Sequence, residues 1–529
     1  MNDEATGAQR LRLWLTTQGI SWHEWPAAAG SQASGIQVPC HEWGRVGGAA
    51  REVGLRLAAE WAEEPPQGGV ALRAAFADGS RGYLLVRTWL ADDACSFQTL
   101  ALHYPAASRM ERVIHDMFGL LPLGHPDPRP WLRHEHWPED IHPLRKEFDG
   151  REPMAWSEGR FPFIVGEGEG FHEIPVGPVH AGIIEPGHFR FLVVGERILN
   201  LEERLGYVHR GIEKRLEGLT PAQAAPLVAR VSGDSTVAHA WAFALACEEA
   251  AQQPAPPRAA LLRAVLCERE RLANHIGDIG AICNDASWAF MQAQCQRLRE
   301  ELAECHGTLL GHRLLMDLVI PGGLSRDIPD GVVRELALHS AQVASRLQRL
   351  HGEYQEHAGI QGRVSDCGVV SPDMARELGL VGFVGRASGL EQDVRRDAPY
   401  APFDRTVVAS PMTRHGDVRA RVWVRFQEAA ESARLVGLWA GDLPAGPACL
   451  PRDLVPPRGA EGFAAVEGWR GEGLLWAAFG SEGRLERCYL RDPSMVNWIG
   501  LEQAVLTVPV PDFPINNKSF NCSYAGHDM

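Results

Sequence analysis

The 529-residue chain has eleven cysteines, but no two of them are separated by only two residues, so it contains no Cys-x-x-Cys pair. Iron–sulfur and structural zinc sites held by a single chain usually draw on such pairs. We therefore predict that this chain holds neither. It also lacks the run of about 18 uncharged apolar residues that a membrane-spanning helix needs. Its acidic N-terminus, MNDEATGAQRLRLWL, does not have the basic leader of a secretory signal. The sequence thus predicts a soluble chain with reduced cysteines.

An excess of positive charge is missing as well. The chain has 52 Lys and Arg against 67 Asp and Glu, which gives a net charge of −15. Proteins that bind nucleic acid usually present a basic face, so we exclude nucleic acid as a partner. Hydrophobic content of 45% and charged content of 22% are ordinary for a globular protein, and the length predicts two or three domains.

The pattern of apolar residues divides the chain into three parts. Residues 1–148 mix strand-like runs with a predicted helix at Ser108–Phe118, which indicates a small α+β domain. Residues 149–172 are rich in Gly, Pro, Glu and Ser, as is typical of a linker. Residues 173–529 begin with a predicted β-hairpin at Glu173–Val194 and continue as a long helical region. We therefore predict an α+β protein in which a small α+β domain precedes a mainly helical domain with peripheral small sheets. Its helices are expected at 199–217, 221–252, 258–284, 286–317, 328–358 and 413–437.

The stretch Arg230–His239, RVSGDSTVAH, marks the start of one of these helices. Ser232, Asp234 and Ser235 would supply N-cap oxygens and early negative charge. Alone, the stretch predicts a capped helix in the protein core.

A second stretch, GPVHAGIIEPGHFRF, forms the tip of the predicted hairpin and brings together His180, Glu185 and His188. Histidine titrates near neutral pH and glutamate can relay protons, so this set of side chains is suited to proton handling. The alternative is a turn whose histidines and glutamate only satisfy backbone groups.

Two groups of motifs resemble known families. The order ERVIHDMFG, GHPDPR and HPLRKEF between Glu111 and Phe148 resembles the signature of the 30-kDa subunit of respiratory complex I, an interaction module without chemistry of its own. The later motifs are similar to the complex I 49-kDa subunit and to large subunits of membrane-bound nickel–iron hydrogenases. The hydrogenase-3/hydrogenase-4 (formate hydrogenlyase) type is the closest. These motifs are GPVHAGIIEPGHFRF, LGYVHRGIEK, CERERLANHIGDIG, RASGLEQDVRRDAPY, GDVRAR and EGWRGE.

The resemblance implies a nickel–iron centre held by four cysteines, in the motifs RVCGxCxxAH and DPCxxC. In this chain the four positions are occupied by Ser232, Ser235, Ser523 and Gly526. Nickel in such a site needs soft, deprotonated sulfur, and a serine hydroxyl stays protonated near neutral pH. We therefore predict that the nickel–iron centre is absent. The sequence also differs from complex I 49-kDa subunits, because Gly233 occupies the position of their quinone-contacting tyrosine.

The resemblance implies a subunit in the peripheral arm of a membrane-bound complex I-like or hydrogenase-4-like oxidoreductase, on the cytoplasmic side of the membrane. An iron–sulfur small subunit, like the 20-kDa subunit of complex I, would pass electrons in NADH:quinone-type or related chemistry, and antiporter-like membrane subunits would move ions. The chain itself would hold no cofactor, although a quinone could bind. Its expected cavity residues are His180, Glu185, His188, Asp234, His239 and Arg386.

Within that cavity, His180 and His188 would donate protons or hydrogen bonds, Glu185 would relay protons and Arg386 would compensate charge. Two alternatives stay open. The first is a non-catalytic scaffold that couples an iron–sulfur subunit to membrane subunits, and the second, less favoured, is an active hydrogenase.

Overall fold

A computed structural model describes residues 5–25, 31–65, 68–79, 82–91, 94–134, 137–151, 154, 159–506 and 508–529. Its N-terminal elements are α1 (Gly7–Thr17), β1 (His23–Trp25), β2 (Ala33–Gln37), α2 (Trp43–Glu52), β3 (Arg56–Glu63), β4 (Val70–Ala77), β5 (Tyr83–Leu90), β6 (Ser96–Gln98), α3 (Ala107–Phe118) and β7 (Leu121–Leu123).

A mixed sheet in the order β1-β2-β5-β4-β3 organises this part. Strands β2 and β5 run parallel, and the other neighbours run antiparallel. Apolar residues of α1, α2 and α3 pack on one face of the sheet, for example Leu11, Val46 and Ile114. Helix α1 begins with a capping box between Thr6 and Gln9. Helix α3 ends at Gly119, whose φ of 72° is accessible to glycine at little cost.

The remaining elements follow in chain order. They are β8 (Phe171–Val176), β9 (His188–Val194), β10 (Arg197–Arg204), α4 (Ile212–Leu216), α5 (Pro221–Val228), α6 (Thr236–Ala251), α7 (Pro257–Asp285), α8 (Ala289–Leu310), β11 (Val319–Ile320), β12 (Gly323–Leu324), α9 (Asp330–Glu356), α10 (Ala358–Val364), α11 (Pro372–Leu378), α12 (Gly382–Ala387), α13 (Val394–Asp397), α14 (Val418–Ala440), β13 (Glu461–Gly468), β14 (Gly471–Phe479), β15 (Leu485–Arg491), α15 (Ser494–Ala504), α16 (Phe513–Phe520) and α17 (Tyr524–Asp528).

Helix α7 is the centre of the helical part and packs against α6, α8 and α14, while α14 also packs against α9. Two small antiparallel sheets flank the helices, in the orders β10-β9-β8 and β13-β14-β15. These observations confirm the predicted α+β class, with a helical core and peripheral sheets. Among the described residues, no helix combines the length and the apolar character needed to span a lipid bilayer.

The N-terminal sheet packs directly on the C-terminal one, so the two parts share a core. Strands β3 and β4 are buried along almost their whole length. Trp61 stacks on Tyr489, with ring centroids 4.8 Å apart and planes 7° from parallel. Arg73 forms ion pairs with Glu63 of its own sheet and with Glu461 of the C-terminal sheet.

One predicted helix is wrong. Residues 199–217 were expected to be helical, but 197–204 form β10, which pairs with β9, and helix α4 begins only at Ile212. The sequence RILNLEER is rich in good helix formers, yet pairing with the hairpin overrides this weak local preference. The predicted helix 221–252 is also divided, into α5 and α6, at the stretch that contains Ser232 and Ser235.

The N-terminal core contains a pair of carboxyl groups that makes stability depend on pH. Glu60 and Glu111 are both buried, and their electrostatic interaction couples their protonation. Burial and then the charge of Glu111 raise the pKa of Glu60 well above its ordinary value, and burial raises the pKa of Glu111 to about 7. The folded chain therefore keeps a proton that the unfolded chain releases above about pH 4.5.

Because the folded pKa values are raised, the contribution of this pair to stability falls as the pH rises from about 4.5 through about 7. We expect Glu60→Gln to reduce this fall and to stabilise the chain by roughly 2 kcal/mol at about pH 8. Thermal unfolding followed from about pH 5 to about pH 8 measures the effect. Glu482→Gln, at a side chain with 76% exposure, is the control. Parallel pH curves for Glu60→Gln and the unmutated chain would contradict the assignment.

Candidate functional site

Four buried positions from distant parts of the chain meet between the start of α6 and the C-terminal helix α17. We call them the serine pocket: Ser232, Ser235, Ser523 and Gly526. The hydroxyl oxygens of Ser232 and Ser523 lie 2.9 Å apart. Ser523 also caps α17, because its Oγ accepts a hydrogen bond from the backbone N–H of Gly526 at 2.9 Å. These are the positions at which the resemblance to hydrogenases implied cysteines, so the structure brings the four together.

A bidentate ion pair closes one side of the serine pocket. Arg470, in the turn between β13 and β14, donates from Nη1 and Nη2 to the two carboxylate oxygens of Asp234 at 2.7 and 2.6 Å. Arg470 also donates to Ser235 Oγ at 3.1 Å, and the hydroxyl of Ser232 donates to Asp234 at 2.7 Å. Burial opposes ionisation of Asp234, but Arg470 outweighs it and holds the pKa of Asp234 below its ordinary value. The pocket therefore contains a fixed anion and a fixed cation.

A second carboxylate, that of Asp492, fills the space beside Gly526. It accepts hydrogen bonds from the backbone N–H of Ser494 at 2.8 Å and lies 3.0 Å from Nε2 of His239. A Cβ atom at position 526 would lie 2.7 Å from both Cγ and Oδ2 of Asp492. Burial opposes ionisation of Asp492, yet His239 and Arg470 hold its pKa well below the ordinary value.

These residues do not fit a nickel–iron centre. The side chains at the four positions offer three hydroxyl groups and a hydrogen in place of thiolates, and Asp492 occupies the space that a fourth ligand would need. Burial and then the charge of Glu203 raise the pKa of the nearby Cys522 well above its ordinary value, so it is a protonated thiol. Within the described ranges, no group of three or more His, Cys, Asp or Glu is arranged to hold a metal ion.

The expected capping role of the serines is wrong. Ser235 is the residue before α6, but its side chain makes no capping hydrogen bond. Glu270 of α7 instead accepts from the backbone N–H groups of Val237 and Ala238, at 2.8 and 3.2 Å. Because α7 packs against α6, this buried carboxylate satisfies the helix end. The hydroxyls of the two serines take part in the pocket.

The loop 177–187 brings two predicted proton-handling residues to α17. The carboxylate of Glu185 accepts a hydrogen bond from the backbone N–H of Ala525 at 2.9 Å. Nε2 of His180 lies 3.3 Å from the hydroxyl of Tyr524. Burial lowers the pKa of His180, so its imidazole is neutral near pH 7 and serves as a hydrogen-bond donor or acceptor. His180 and Glu185 therefore touch the residues next to the serine pocket.

His188, the third predicted residue of this loop, lies at the start of β9. Its Nδ1 is 3.3 Å from the carbonyl oxygen of Gly177, and its ring packs beside Phe163. The apolar side chains at the loop tip point outward, with Val179 80% and Ile183 100% exposed. The loop thus has an inner side at α17 and an apolar outer edge.

Arg386, predicted to compensate charge in the cavity, instead lies in a separate buried network of ions. It donates from Nε to Glu428 at 2.7 Å and from Nη1 to Glu467 at 2.9 Å. The guanidinium that contacts the serine pocket is that of Arg470, three positions after Glu467 in the same hairpin. Sequence reasoning could have identified Arg470, because it lies in the motif EGWRGE. Asp492 lies in none of the motifs, so the sequence did not indicate it.

Two known families match the chain. Residues 66–154 match the family described as "Respiratory-chain NADH dehydrogenase, 30 Kd subunit". Residues 285–460 match the family described as "Respiratory-chain NADH dehydrogenase, 49 Kd subunit".

Similar proteins come from hydrogenase and respiratory complexes. Formate hydrogenlyase subunit 5 of Escherichia coli is 30% identical over 85% of this chain and 80% of its own length. Hydrogenase-4 component G of the same organism is 32% identical over 84% of this chain and 78% of its own length. Among solved structures, a chain of the membrane-bound sulfane sulfur reductase, an archaeal respiratory membrane complex, aligns with a TM-score of 0.64 and 25% identity. The alignment covers 68% of the present chain and 99% of the reductase chain.

Proposed function

Because the chain belongs to the family of formate hydrogenlyase subunit 5 and hydrogenase-4 component G, in which complex I 30-kDa and 49-kDa parts are fused, we propose that it is a subunit of a membrane-bound oxidoreductase complex of the complex I or hydrogenase type. The match to an archaeal respiratory membrane complex supports this proposal. The chain would lie in the peripheral arm on the cytoplasmic side, held by an iron–sulfur small subunit and by antiporter-like membrane subunits.

The proposed chemistry is proton handling for a quinone-like electron acceptor, without a nickel–iron centre in this chain. The observation that carries it is the serine pocket itself, where the four expected ligand positions converge but present hydroxyls, the Asp234–Arg470 pair and Asp492. Electrons would come from the iron–sulfur subunit. Hydroxyl and imidazole groups suit the carbonyl oxygens of a quinone, to which they donate hydrogen bonds.

The acceptor would have to bind outside the closed pocket. The cavity bounded by Ser235, His239, Arg470 and Asp492 has a volume of only about 10 Å³, less than a quinone ring requires. The proposed place is beside His180 and Glu185, in a space that the iron–sulfur subunit completes against the apolar edge of the 177–187 loop. There, His180 would donate a hydrogen bond to the acceptor and Glu185 would pass a proton from the direction of α17.

The same small cavity also supports the alternative of a non-catalytic scaffold. As a scaffold, the chain would transmit movement between an iron–sulfur subunit and membrane subunits without binding an acceptor. The two candidates differ in what they require of Glu185, since a scaffold needs no proton relay.

We expect Glu185→Gln to lower quinone-dependent turnover of the assembled complex by about 100-fold, because the amide cannot carry a proton. The amide oxygen of Gln can still accept the hydrogen bond from Ala525, so the loop should keep its structure. Turnover with a series of quinones, measured alongside thermal unfolding, tests this.

Glu173→Gln is the matched control, since Glu173 belongs to the same small sheet and forms a partly exposed pair with Arg190. Turnover of Glu185→Gln equal to that of the control would remove the relay and leave the scaffold. Stoichiometric nickel in the purified complex would contradict both candidates and restore hydrogenase chemistry.

A further inference from the structure

A cleft of about 410 Å³ opens where α3, β10 and α15 meet. Arg109 and Trp131 line its N-terminal wall, Glu203 comes from β10, and Glu502 comes from α15. The cleft therefore exists because the 30-kDa-like and 49-kDa-like parts are joined. None of these four residues was used in the proposed reaction.

Two carboxylates share one cation at the floor of this cleft. Nη2 of Arg109 is 2.8 Å from an oxygen of Glu203 and 2.8 Å from an oxygen of Glu502. The two carboxylates therefore lie against the same guanidinium nitrogen. The side chain of Glu203 is fully buried, whereas that of Glu502 is 22% exposed. The cleft is also lined by two further arginines and two further carboxylates, Arg112, Arg129, Asp127 and Glu202, which pair with one another. With all groups ionised, four carboxylates face three arginines, so one negative charge is left uncompensated. One bound proton removes it.

The hydrogen bonding of this group is incomplete. Nη1 of Arg109 and Oε1 of Glu203 are buried and have no hydrogen-bond partner among the described residues. A proton on the pair would let Glu203 Oε1 take part in a hydrogen bond, and a water molecule from the cleft could accept from Nη1 of Arg109. Burial and then the charge of Glu502 raise the pKa of Glu203 well above its ordinary value, and burial raises that of Glu502.

Contacts lead from the floor of the cleft to α17. The ring of Trp131 packs against Arg109 at 4.6 Å, and its indole N–H donates to Nε2 of His527 at 3.1 Å. Nδ1 of His527 then donates to the carboxylate of Asp528 at 2.9 Å. Helix α17 carries Gly526 of the serine pocket on the same short turn. These buried contacts connect the acid pair to the turn that carries Gly526.

We propose that Glu203 and Glu502 form a proton-loading site, in which one proton taken up from water in the cleft is shared by the two carboxylates and supplied toward α17. The step moves one proton and no electron: a carboxylate oxygen gains a proton from a cleft water, and bulk solvent returns a proton to that water. Glu502, whose side chain is 22% exposed, is the entry, and the buried Glu203 is the inner position. That the proton moves toward α17 rests on the proposed function. That the two carboxylates share a proton does not depend on it.

Infrared difference spectra of the intact complex in H₂O and D₂O test the shared proton. We expect a C=O band of a protonated carboxylic acid that shifts in D₂O and is lost in both Glu203→Gln and Glu502→Gln. Glu248→Gln is the control, because Glu248 is a buried carboxylate with a cation of its own, Arg263, and should contribute no such band. In the unmutated complex, the band should still be present at about pH 7. This measurement does not depend on whether either variant folds.

A second measurement separates this inference from the proposed function. We expect Glu502→Gln to slow quinone turnover about 10-fold, with the largest loss at high pH, where proton uptake is hardest. The Glu60–Glu111 pair contributes a carboxylic-acid band of its own in all of these proteins. A set of carboxylic-acid bands that is identical in the unmutated complex and in both single variants would overturn the loading site, whatever the turnover. Loss of the band in a complex that reduces no quinone would leave the loading site standing and remove the proposed acceptor.

Discussion

Replacing Arg386 with Met is expected to lower the free energy of unfolding by about 4 kcal/mol, or to prevent the chain from accumulating. Arg386 is fully buried between three carboxylates, those of Glu428 at 2.7 Å, Glu467 at 2.9 Å and Asp393 at 3.7 Å. Methionine keeps much of the volume but leaves these acids without their shared cation in a place that water does not reach. Urea unfolding of the purified complex or chain measures the loss.

Two companion variants show whether charge or packing is responsible. Arg386→Lys keeps the charge but not the planar fork of donors, so it should recover part of the stability. Arg405→Met is the control for loss of an arginine. Its side chain is 90% exposed and pairs with Asp404 at 3.5 Å, so the change should stay within about 0.5 kcal/mol. A loss below about 1 kcal/mol in Arg386→Met would mean that the surrounding acids are already neutral.

The buried ions explain why α7 can occupy the centre of the fold. Four consecutive charged residues of α7, Glu268 to Arg271, are buried, which is unusual for such side chains. Glu268 pairs with Arg271 and with Arg395, and Glu270 caps α6. Arg269 donates to α9 and Arg271 donates to β13, so each of the four side chains bonds to another element. The contacts that hold the helices together therefore also fix the start of α6.

The long helices could be predicted from the sequence because their evidence is local. Apolar residues recur at helical spacing through α7, α8, α9 and α14, and each of these helices lies at its predicted place. Strand β10 was missed because its partner, β9, outweighs the helix preference of its residues. Local patterns do not report such pairing.

The candidate site divides in the same way. The four pocket positions were found because each lies in a short motif that resembles a known one. Arg470 lies in the motif EGWRGE, but that motif does not reveal its contact with Asp234, which spans 236 residues. Asp492 contacts His239 across 253 residues, and no local pattern indicates it. The Glu203–Glu502 pair, with a backbone contact across 299 residues, is hidden for the same reason.

We expect Gly526→Ala to lower the free energy of unfolding by about 3 kcal/mol, at the upper end of the cost of overpacking. The added Cβ would lie 2.7 Å from Cγ and Oδ2 of Asp492, which cannot move aside without leaving His239 and the backbone N–H of Ser494. Gly182→Ala is the matched control, because no atom lies within 4 Å of a Cβ at that position. Thermal or urea unfolding of the two variants gives the comparison.

The double variant Gly526→Ala with Asp492→Ala identifies the cause of the loss. If the carboxylate is the obstacle, the alanine at position 526 should cost less than half as much once Asp492 is shortened, and the two changes will not be additive. An equal cost in both backgrounds would contradict the clash. The expected coupling means that a cysteine could return to position 526 only together with a change at 492. At this place, the Asp492 carboxylate and a cysteine at position 526 therefore exclude each other.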